Sequence, residues 1–265
     1  MEHVRPAAVA GRFYPDSPVK LRKLVGEFLT EARGRGPVPK AVIVPHAGYV
    51  YSGPIAASAY ARLLSAGPKI ERVVLLGPAH RVRVTGLATT TSEYFATPLG
   101  RMPIDREAVA QALTLPQVCA DDLAHAPEHS LEVQLPFLQY VLGNVKLVPF
   151  VVGNASADEV AQVLELLWGG PETLIVISSD LSHYHDYLTC QSLDAQTAHA
   201  IEALEPDSIA PEGACGRRGI AGLLCVARHR GLQAHTIDLR NSGDTAGPRD
   251  QVVGYGAFAI EPATA

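Results

Sequence analysis

The sequence predicts an α/β protein with a central mixed, mainly parallel sheet flanked by helices. Short apolar segments bounded by glycine, proline, serine or aspartate alternate along the chain with longer segments of helical periodicity. Hydrophobic residues make up 47% of the 265 residues and charged residues 18%, which is enough for a large buried core. Because no internal repeat or low-complexity linker divides the chain, we predict a single domain over residues 1–265.

Local signals place the elements in chain order. Strands are predicted where β-branched and aliphatic residues run together, at residues 41–44, 73–76, 86–90, 146–151, 174–177, 234–239 and 252–260. Helices are predicted from apolar periodicity and start signals, at residues 17–33, 54–64, 105–113, 131–142, 156–167, 192–204 and 218–229. Pro54 suits a first helical turn, and Ser156 with Glu159 forms a capping box.

Charge and composition narrow the classes of partner. The net charge is −5 and no block of lysine or arginine occurs, so neither nucleic acid nor an anionic membrane is an expected partner. The apolar runs are far shorter than the ~18 residues that a membrane span needs. No signal peptide is visible, and the four cysteines form no CxxC pair. We therefore expect a cytoplasmic protein with reduced thiols.

Three histidines follow predicted strands, and they are the strongest functional signal in the sequence. His46, His80 and His183 each come shortly after a buried strand, and Asp180 precedes the third of them. Ligands of open α/β sheets bind outside the carboxyl ends of the strands. A single histidine at a strand end is usually a hydrogen-bonded loop residue. Three at equivalent ends favour a metal site or an acid–base site.

Further candidates have equally plausible structural roles. Glu128 and His129 open a predicted helix, where a carboxylate complements the helix dipole, or they reach the same pocket. Arg217 either binds an anionic substrate or is solvated. Tyr49 either lines an aromatic substrate site or packs against the sheet edge. The serines around Asp180 lack a nucleophile elbow, and the chain has no dinucleotide fingerprint, P-loop or His-Glu-x-x-His motif.

A series of motifs resembles the Memo family, including the prokaryotic AmmeMemoRadiSam system protein B type. The resemblance covers essentially the whole chain, and its motifs occur in the family's order: Ala10-Gly-Arg-Phe-Tyr-Pro15, Pro45-His-Ala-Gly-Tyr49, Tyr51-Ser-Gly53, Gly77-Pro-Ala-His80, Glu128-His-Ser-Leu-Glu132, Ser178-Ser-Asp-Leu-Ser-His183, Cys215-Gly-Arg217 and Asn241-Ser-Gly-Asp244.

The resemblance implies a fold similar to the class III (LigB-like) extradiol dioxygenases. In those enzymes two histidines and a carboxylate bind a ferrous ion, and another histidine acts as acid–base. The positions of the motifs imply that His46 and His80 correspond to the metal-binding histidines and that His183 corresponds to the acid–base histidine. Asp180 matches an aspartate of the same pocket. The implied cofactor is Fe(II), with Cu or Zn as alternatives.

The third metal ligand is where this sequence departs from the family pattern. Eukaryotic members carry a cysteine in the C-terminal motif, whereas residues 242–246 contain no thiol. An ungapped alignment places Thr245 opposite that cysteine. We expect the neighbouring Asp244 to complete a two-histidine, one-carboxylate site, and the alternatives are Thr245 or His183 with water. Copper chemistry that relies on a thiolate is accordingly less expected.

Two classes of function follow from the resemblance. The first is a metal-dependent, dioxygenase-like redox enzyme acting on an unknown small molecule. The second is a non-catalytic binding protein, because eukaryotic members are described as adaptors that engage phosphotyrosine-containing peptides through this pocket. A zinc hydrolase is a third and weaker option. Prokaryotic members often occur beside a radical SAM protein, which implies a link to its pathway.

Overall fold

Strands and helices alternate along most of the chain in the computed structural model, which describes residues 2–66 and 69–263. The strands are β1 (Val4–Arg5), β2 (Ala41–Val44), β3 (Arg72–Pro78), β4 (Leu87–Thr89), β5 (Tyr94–Thr97), β6 (Gly100–Pro103), β7 (Val118–Ala120), β8 (Lys146–Val152), β9 (Thr173–Ser178), β10 (His183–His185), β11 (Leu232–Asn241) and β12 (Val252–Pro262). The helices are α1 (Pro18–Glu31), α2 (Tyr49–Tyr60), α3 (Arg106–Ala112), α4 (Asp122–His125), α5 (Leu135–Leu142), α6 (Ala157–Leu167), α7 (Tyr187–Glu202) and α8 (Arg217–His229).

The main sheet is mixed, with a parallel centre. Within the described residues its strand order is β10-β12-β2-β9-β3-β8-β4-β7, and β11 also pairs with β12. Strands β2, β9, β3 and β8 are mutually parallel, whereas β12 and β4 run antiparallel to their neighbours β2 and β8. The predicted α/β fold class with a mixed, mainly parallel sheet is confirmed. A small sheet of β1, β5 and β6 was not predicted.

The central strands are buried on both faces. Every residue of β2 and of β9 is buried, as is typical of parallel strands that are covered by helices on both sides. Helix α2 packs against β2 and β12, and α8 packs against β3 and β9. None of the helices in the described parts of the chain is long and apolar enough to cross a membrane.

The predicted starts of α1, α3, α6 and α8 agree with the structure to within one residue, whereas α2 and α7 each begin five residues earlier than expected and α5 begins four residues later. The capping box of Ser156 and Glu159 is present at the start of α6. Helix α2 starts at Tyr49, five residues before the proline that was expected to open it. The carbonyl of Gly48 accepts hydrogen bonds from the amides of the third and fourth residues that follow, so the first helical turn forms before Pro54. This early start brings the helix directly behind the loop that carries His46.

A buried ion pair fixes the segment that leads into α5. The Arg5 guanidinium donates to Glu132 Oε2 at 2.7 Å and to the carbonyl oxygens of His125 and Glu128 at 2.9 and 2.6 Å. The carboxylate of Glu132 also accepts hydrogen bonds from the Tyr14 hydroxyl and from two backbone amides. Since the two charged side chains are only 4% and 0% exposed, this network ties the N-terminal segment firmly to the backbone around Glu128.

Removing one partner of this pair should strongly destabilise the protein. The variant Arg5→Ala leaves the buried Glu132 carboxylate without its charged donor, and we expect a loss of about 3–5 kcal/mol in the free energy of unfolding. Urea unfolding monitored by circular dichroism measures it. The matched control is Arg101→Ala, because the ion pair of Arg101 with Glu2 is more than half exposed and should contribute less than about 1 kcal/mol. Equal losses in the two variants would contradict this account.

Candidate metal-binding site

A cavity of about 580 Å³ lies at the carboxyl ends of the parallel strands. The adjacent strands β2 and β9, and β9 and β3, run parallel, so the loops that follow them meet at one edge of the sheet. The cavity is lined by the residues that this edge brings together, among them His46, His80, His129, Asp180, His183, Tyr51, Tyr184 and Tyr255.

His46 is fully buried and held in one tautomer. Its Nδ1 lies 2.9 Å from the Ser178 hydroxyl, which donates its single hydrogen to the carbonyl of Ser130 and accepts another bond from the Gln134 amide. The hydroxyl can therefore only accept from His46, so Nδ1 carries the proton and Nε2 keeps its lone pair. The backbone amide of His46 donates to Asp180 Oδ1 at 2.7 Å, which fixes the loop.

Glu128 orients His80 in the same way. Its carboxylate accepts from the His80 backbone amide at 2.6 Å and lies 3.0 Å from His80 Nδ1. Burial alone raises the pKa of Glu128, but hydrogen bonds from His80 and from the amide of Ser130 outweigh it and lower the pKa to about 2. Because the carboxylate is ionised and can only accept, Nδ1 of His80 carries the proton and Nε2 is free. Carboxylates commonly orient metal-binding histidines in this manner.

A thiol completes the group around these two imidazoles. Cys215, in the loop before α8, places its Sγ 3.4 Å from His46 Nε2. His46, His80 and Cys215 each offer one ligand atom, and these atoms all lie within 4.8 Å of one another. Burial, and then the nearby carboxyl group of Asp180, raise the pKa of the Cys215 thiol to about 12. A metal would therefore have to displace the thiol proton on binding.

Asp180 and His183 face the same cavity from the loop that follows β9. Burial raises the pKa of Asp180 and outweighs the hydrogen bond from the His46 amide. His183 is half-buried and begins β10. The next residue, Tyr184, is 71% exposed and adopts a positive φ of 61°, a conformation that costs a non-glycine residue about 1–3 kcal/mol. Such strain is often found beside functional sites.

His129 adds a third imidazole to the cluster. Its ring stacks on His80 with a centroid distance of 4.9 Å and lies 4.8 Å from the ring of Phe13. His129 Nδ1 is buried without a hydrogen-bond partner, although Glu128 Oε1 lies 3.3 Å away in unsuitable geometry. Burial and the neighbouring His46 lower the pKa of His129 to about 4. The half-buried ring is therefore neutral near pH 7 and remains available to a ligand.

Asp244, the predicted third metal ligand, does not line the histidine cavity. Its carboxylate accepts hydrogen bonds from the Tyr187 hydroxyl and from the backbone amide of Asn241, where it completes a capping box of a short 3-10 turn. It lines a separate cavity with Asp194. Both carboxylate oxygens of Asp244 are therefore engaged in local hydrogen bonds. The hydroxyl of the neighbouring Thr245 donates a hydrogen bond to the carbonyl oxygen of Ser242 in the same turn.

Two predicted substrate-binding residues also lie outside the lining of the cavity. Tyr49 is 1% exposed, donates its hydroxyl hydrogen to the carbonyl of Val133 and packs its ring against Phe137. It therefore belongs to the core, which is the packing alternative stated for it. Arg217 begins α8 and is half-buried, but it does not line the histidine cavity. Glu128 acts on the site through His80, and His129 lines the cavity directly.

The sequence carries a signal for Cys215, which lies in the motif Cys215-Gly-Arg217. The prediction placed the family's thiol within residues 242–246, which contain no cysteine. His46 and Cys215 are 169 residues apart in the chain, and only the packing of α8 against β9 brings them into contact. A cysteine directly before a helix that packs on the central strands is the pattern that would have identified it.

The fold and the site together define a class: an α/β protein whose histidines and thiol converge at the carboxyl edge of a mixed sheet. The family model described as Memo-like protein matches residues 5–259 of this chain. A MEMO1 family protein of Aeropyrum pernix is 37% identical, covering 97% of this chain and 99% of that protein. A MEMO1 family protein of Methanopyrus kandleri is 35% identical, covering 97% and 98%. The chain therefore belongs to the Memo family.

A solved structure shares the fold. The crystal structure of an uncharacterized protein from Escherichia coli K12 matches with a TM-score of 0.52 and 14% sequence identity, covering 81% of this chain and 98% of that chain. At this identity the match establishes the fold alone. The mixed sheet with flanking helices is consistent with the predicted LigB-like fold.

The tautomer of His46 can be tested directly in metal-free protein. Because burial and the nearby His80 lower its pKa to about 3, His46 is neutral at pH 7. We expect long-range ¹H–¹⁵N correlation spectra to show its proton on Nδ1. His125 is an internal control of opposite tautomer, since its Nε2 lies 3.0 Å from the carbonyl of Ala88 and must donate. A proton on Nε2 of His46 would contradict the assignment.

Proposed function

We propose that the cavity is the active site of a metal-dependent redox enzyme that acts on a small molecule, with His46, His80 and Cys215 as the metal ligands. The observation that carries this proposal is the convergence of one ring nitrogen from each of His46 and His80 with the Cys215 thiol, all within 4.8 Å of one another. The Nε2 atoms of both histidines keep their lone pairs, because the opposite ring nitrogens are hydrogen-bonded to Ser178 and Glu128.

The spacing of these atoms fits a metal site. Metal–nitrogen bonds of about 2.0 Å and metal–sulfur bonds of about 2.3 Å at a tetrahedral angle place the two ligand atoms about 3.5 Å apart. The Cys215 Sγ and His46 Nε2 atoms are 3.4 Å apart. No rearrangement of the loops is needed for these two atoms to share an ion.

The donor set changes the expected choice of metal. Imidazole suits Fe, Cu and Zn, and a thiolate is a soft ligand that favours Cu(I), Zn and iron. With Cys215 in place of Asp244, copper is no longer disfavoured, and Fe(II) remains the ion that the dioxygenase resemblance implies. When bound, either redox-active ion would supply electron transfer and Lewis acidity next to the substrate.

Residues of this chain supply the remaining functions of the site. His183 faces the cavity and is the acid–base candidate, since imidazole is the side chain used most often for proton transfer. The Asp180 carboxyl, whose pKa is raised by burial, holds the His46 loop through its Oδ1. The cavity volume of about 580 Å³ lies within the range of about 300–1,000 Å³ that is usual for small-molecule sites.

Metal content is the first test of the proposed ligands. We expect near-stoichiometric metal in anaerobically purified wild-type protein, as measured by element-resolved mass spectrometry. The variants His46→Ala and Cys215→Ser should each reduce metal content severely, because each removes one of three ligands. The matched controls are Asp244→Asn, which changes the originally predicted ligand, and Cys119→Ser, which changes an exposed thiol.

The controls separate the two ligand assignments. Loss of metal in Asp244→Asn with retention in Cys215→Ser would overturn the ligand set. Equal metal in wild type and His46→Ala would overturn the metal site altogether and would favour a binding protein that recognises its ligand directly through the histidines.

His183 should be needed for turnover and dispensable for metal binding. In assays of O₂ consumption with catechol-like compounds, we expect His183→Gln to lower any measured turnover by about 10²–10⁴-fold, as is usual for loss of an acid–base group. Its metal content should equal that of the wild type. Turnover that is unchanged in the variant would remove His183 from the proposed mechanism.

A further inference from the structure

A second cavity of about 430 Å³ adjoins the histidine cavity. His80 and Arg81 line both cavities, and Cys215 lines the second one, so the two spaces meet at the proposed metal ligands. The second cavity is also lined by Arg83 and Arg218, which come from the loop after β3 and from the first turn of α8.

The charged side chains that line this second cavity are all positive at neutral pH, apart from the titratable His80 and Cys215. Three arginines line it, and no aspartate or glutamate does. Several other arginines of the described chain are paired with carboxylates, including Arg5, Arg62 and Arg72. Among the described residues, Arg81, Arg83 and Arg218 form no salt bridge, so no carboxylate neutralises the positive charge of this cavity.

The three guanidinium groups differ in how firmly they are held. Arg218 is half-buried, and its Nη1 donates to the carbonyl of Ala155 at 2.7 Å, which anchors the side chain at the cavity wall. Arg81 and Arg83 are exposed, and neither makes a hydrogen bond to another described residue. The arrangement therefore combines one anchored cation with two that can adjust to a ligand.

We propose that this cavity, defined by Arg81, Arg83 and Arg218, binds an oxyanion group of the substrate, either a carboxylate or a phosphate. Guanidinium groups bind both by paired, charge-assisted hydrogen bonds. Three cations lining one cavity suit a single compact anion, whereas a nucleic-acid partner would need a more extended basic surface.

The location gives this anion site a role in substrate orientation. An oxyanion held by the arginines would lie on one side of His80 and Cys215, and the rest of the molecule would extend into the histidine cavity. The assignment of the anion to a substrate rests on the proposed function, but the anion site itself does not require a bound metal. The two claims can therefore be tested separately.

The test uses isothermal titration calorimetry on full-length, chelator-treated protein. The probes are inorganic phosphate and acetate, at an ionic strength of about 0.15 M, where long-range attraction to surface charges is screened. We expect at least one probe to bind with a Kd near or below about 1 mM. The double variant Arg81→Gln/Arg83→Gln should weaken that binding by at least about tenfold, because two charge-assisted contacts are lost.

The matched control is Arg228→Gln, an exposed arginine at the opposite end of α8 that lines neither cavity. Its affinity for both probes should equal that of the wild type. Tighter binding of phosphate would indicate a phosphorylated substrate, and tighter binding of acetate a carboxylate; either supports the site. The proposal is overturned if neither probe binds below about 10 mM, or if the double variant binds as tightly as the control. Because the protein is metal-free, a failed metal assay leaves this result interpretable.

Discussion

The hydrogen bonds at Nδ1 of His46 and His80 are the constraint on which the site depends. Each imidazole has two nitrogens, and only a fixed proton on one of them makes the other a dependable ligand. Ser178 and Glu128 fix that proton from behind the rings, one through a hydroxyl whose hydrogen is already used and the other through an ionised carboxylate. The free nitrogen of His46 lies 3.4 Å from the Cys215 thiol, and His80 offers a ligand atom to the same group.

The rest of the fold positions Ser178 and Glu128 beside the two histidines. Parallel pairing of β2 with β9 aligns Val44 with Ser178, so the hydroxyl stands beside the loop that carries His46. Glu128 has no such support from the main sheet, and its backbone is instead fixed by the guanidinium of Arg5, which reaches it from the N-terminal segment. The site thus depends on the sheet for one histidine and on a buried ion-pair network for the other.

Features that depend on a short stretch of sequence, such as the bounds of a buried strand and the residues at its end, were predicted from the sequence. The strand Ala41–Val44 was predicted with its observed bounds, because an apolar run that ends at a proline is unambiguous. The positions of His46 and His80 at strand ends followed from the same signals. The thiol could not be placed this way, since Cys215 reaches His46 only through helix packing. Asp244 was favoured because it is next to Thr245 in the sequence, whereas in the structure its carboxylate caps its own turn.

X-ray absorption spectroscopy of the metal-loaded protein tests the central claim most directly, because it reports the elements bound to the ion. We predict one sulfur scatterer at about 2.3 Å together with nitrogen scatterers from two imidazoles. The sulfur contribution should be absent when Cys215→Ser is loaded with the same metal. A wild-type spectrum that contains only nitrogen and oxygen neighbours would contradict the ligand set and would return the third position to a carboxylate or water.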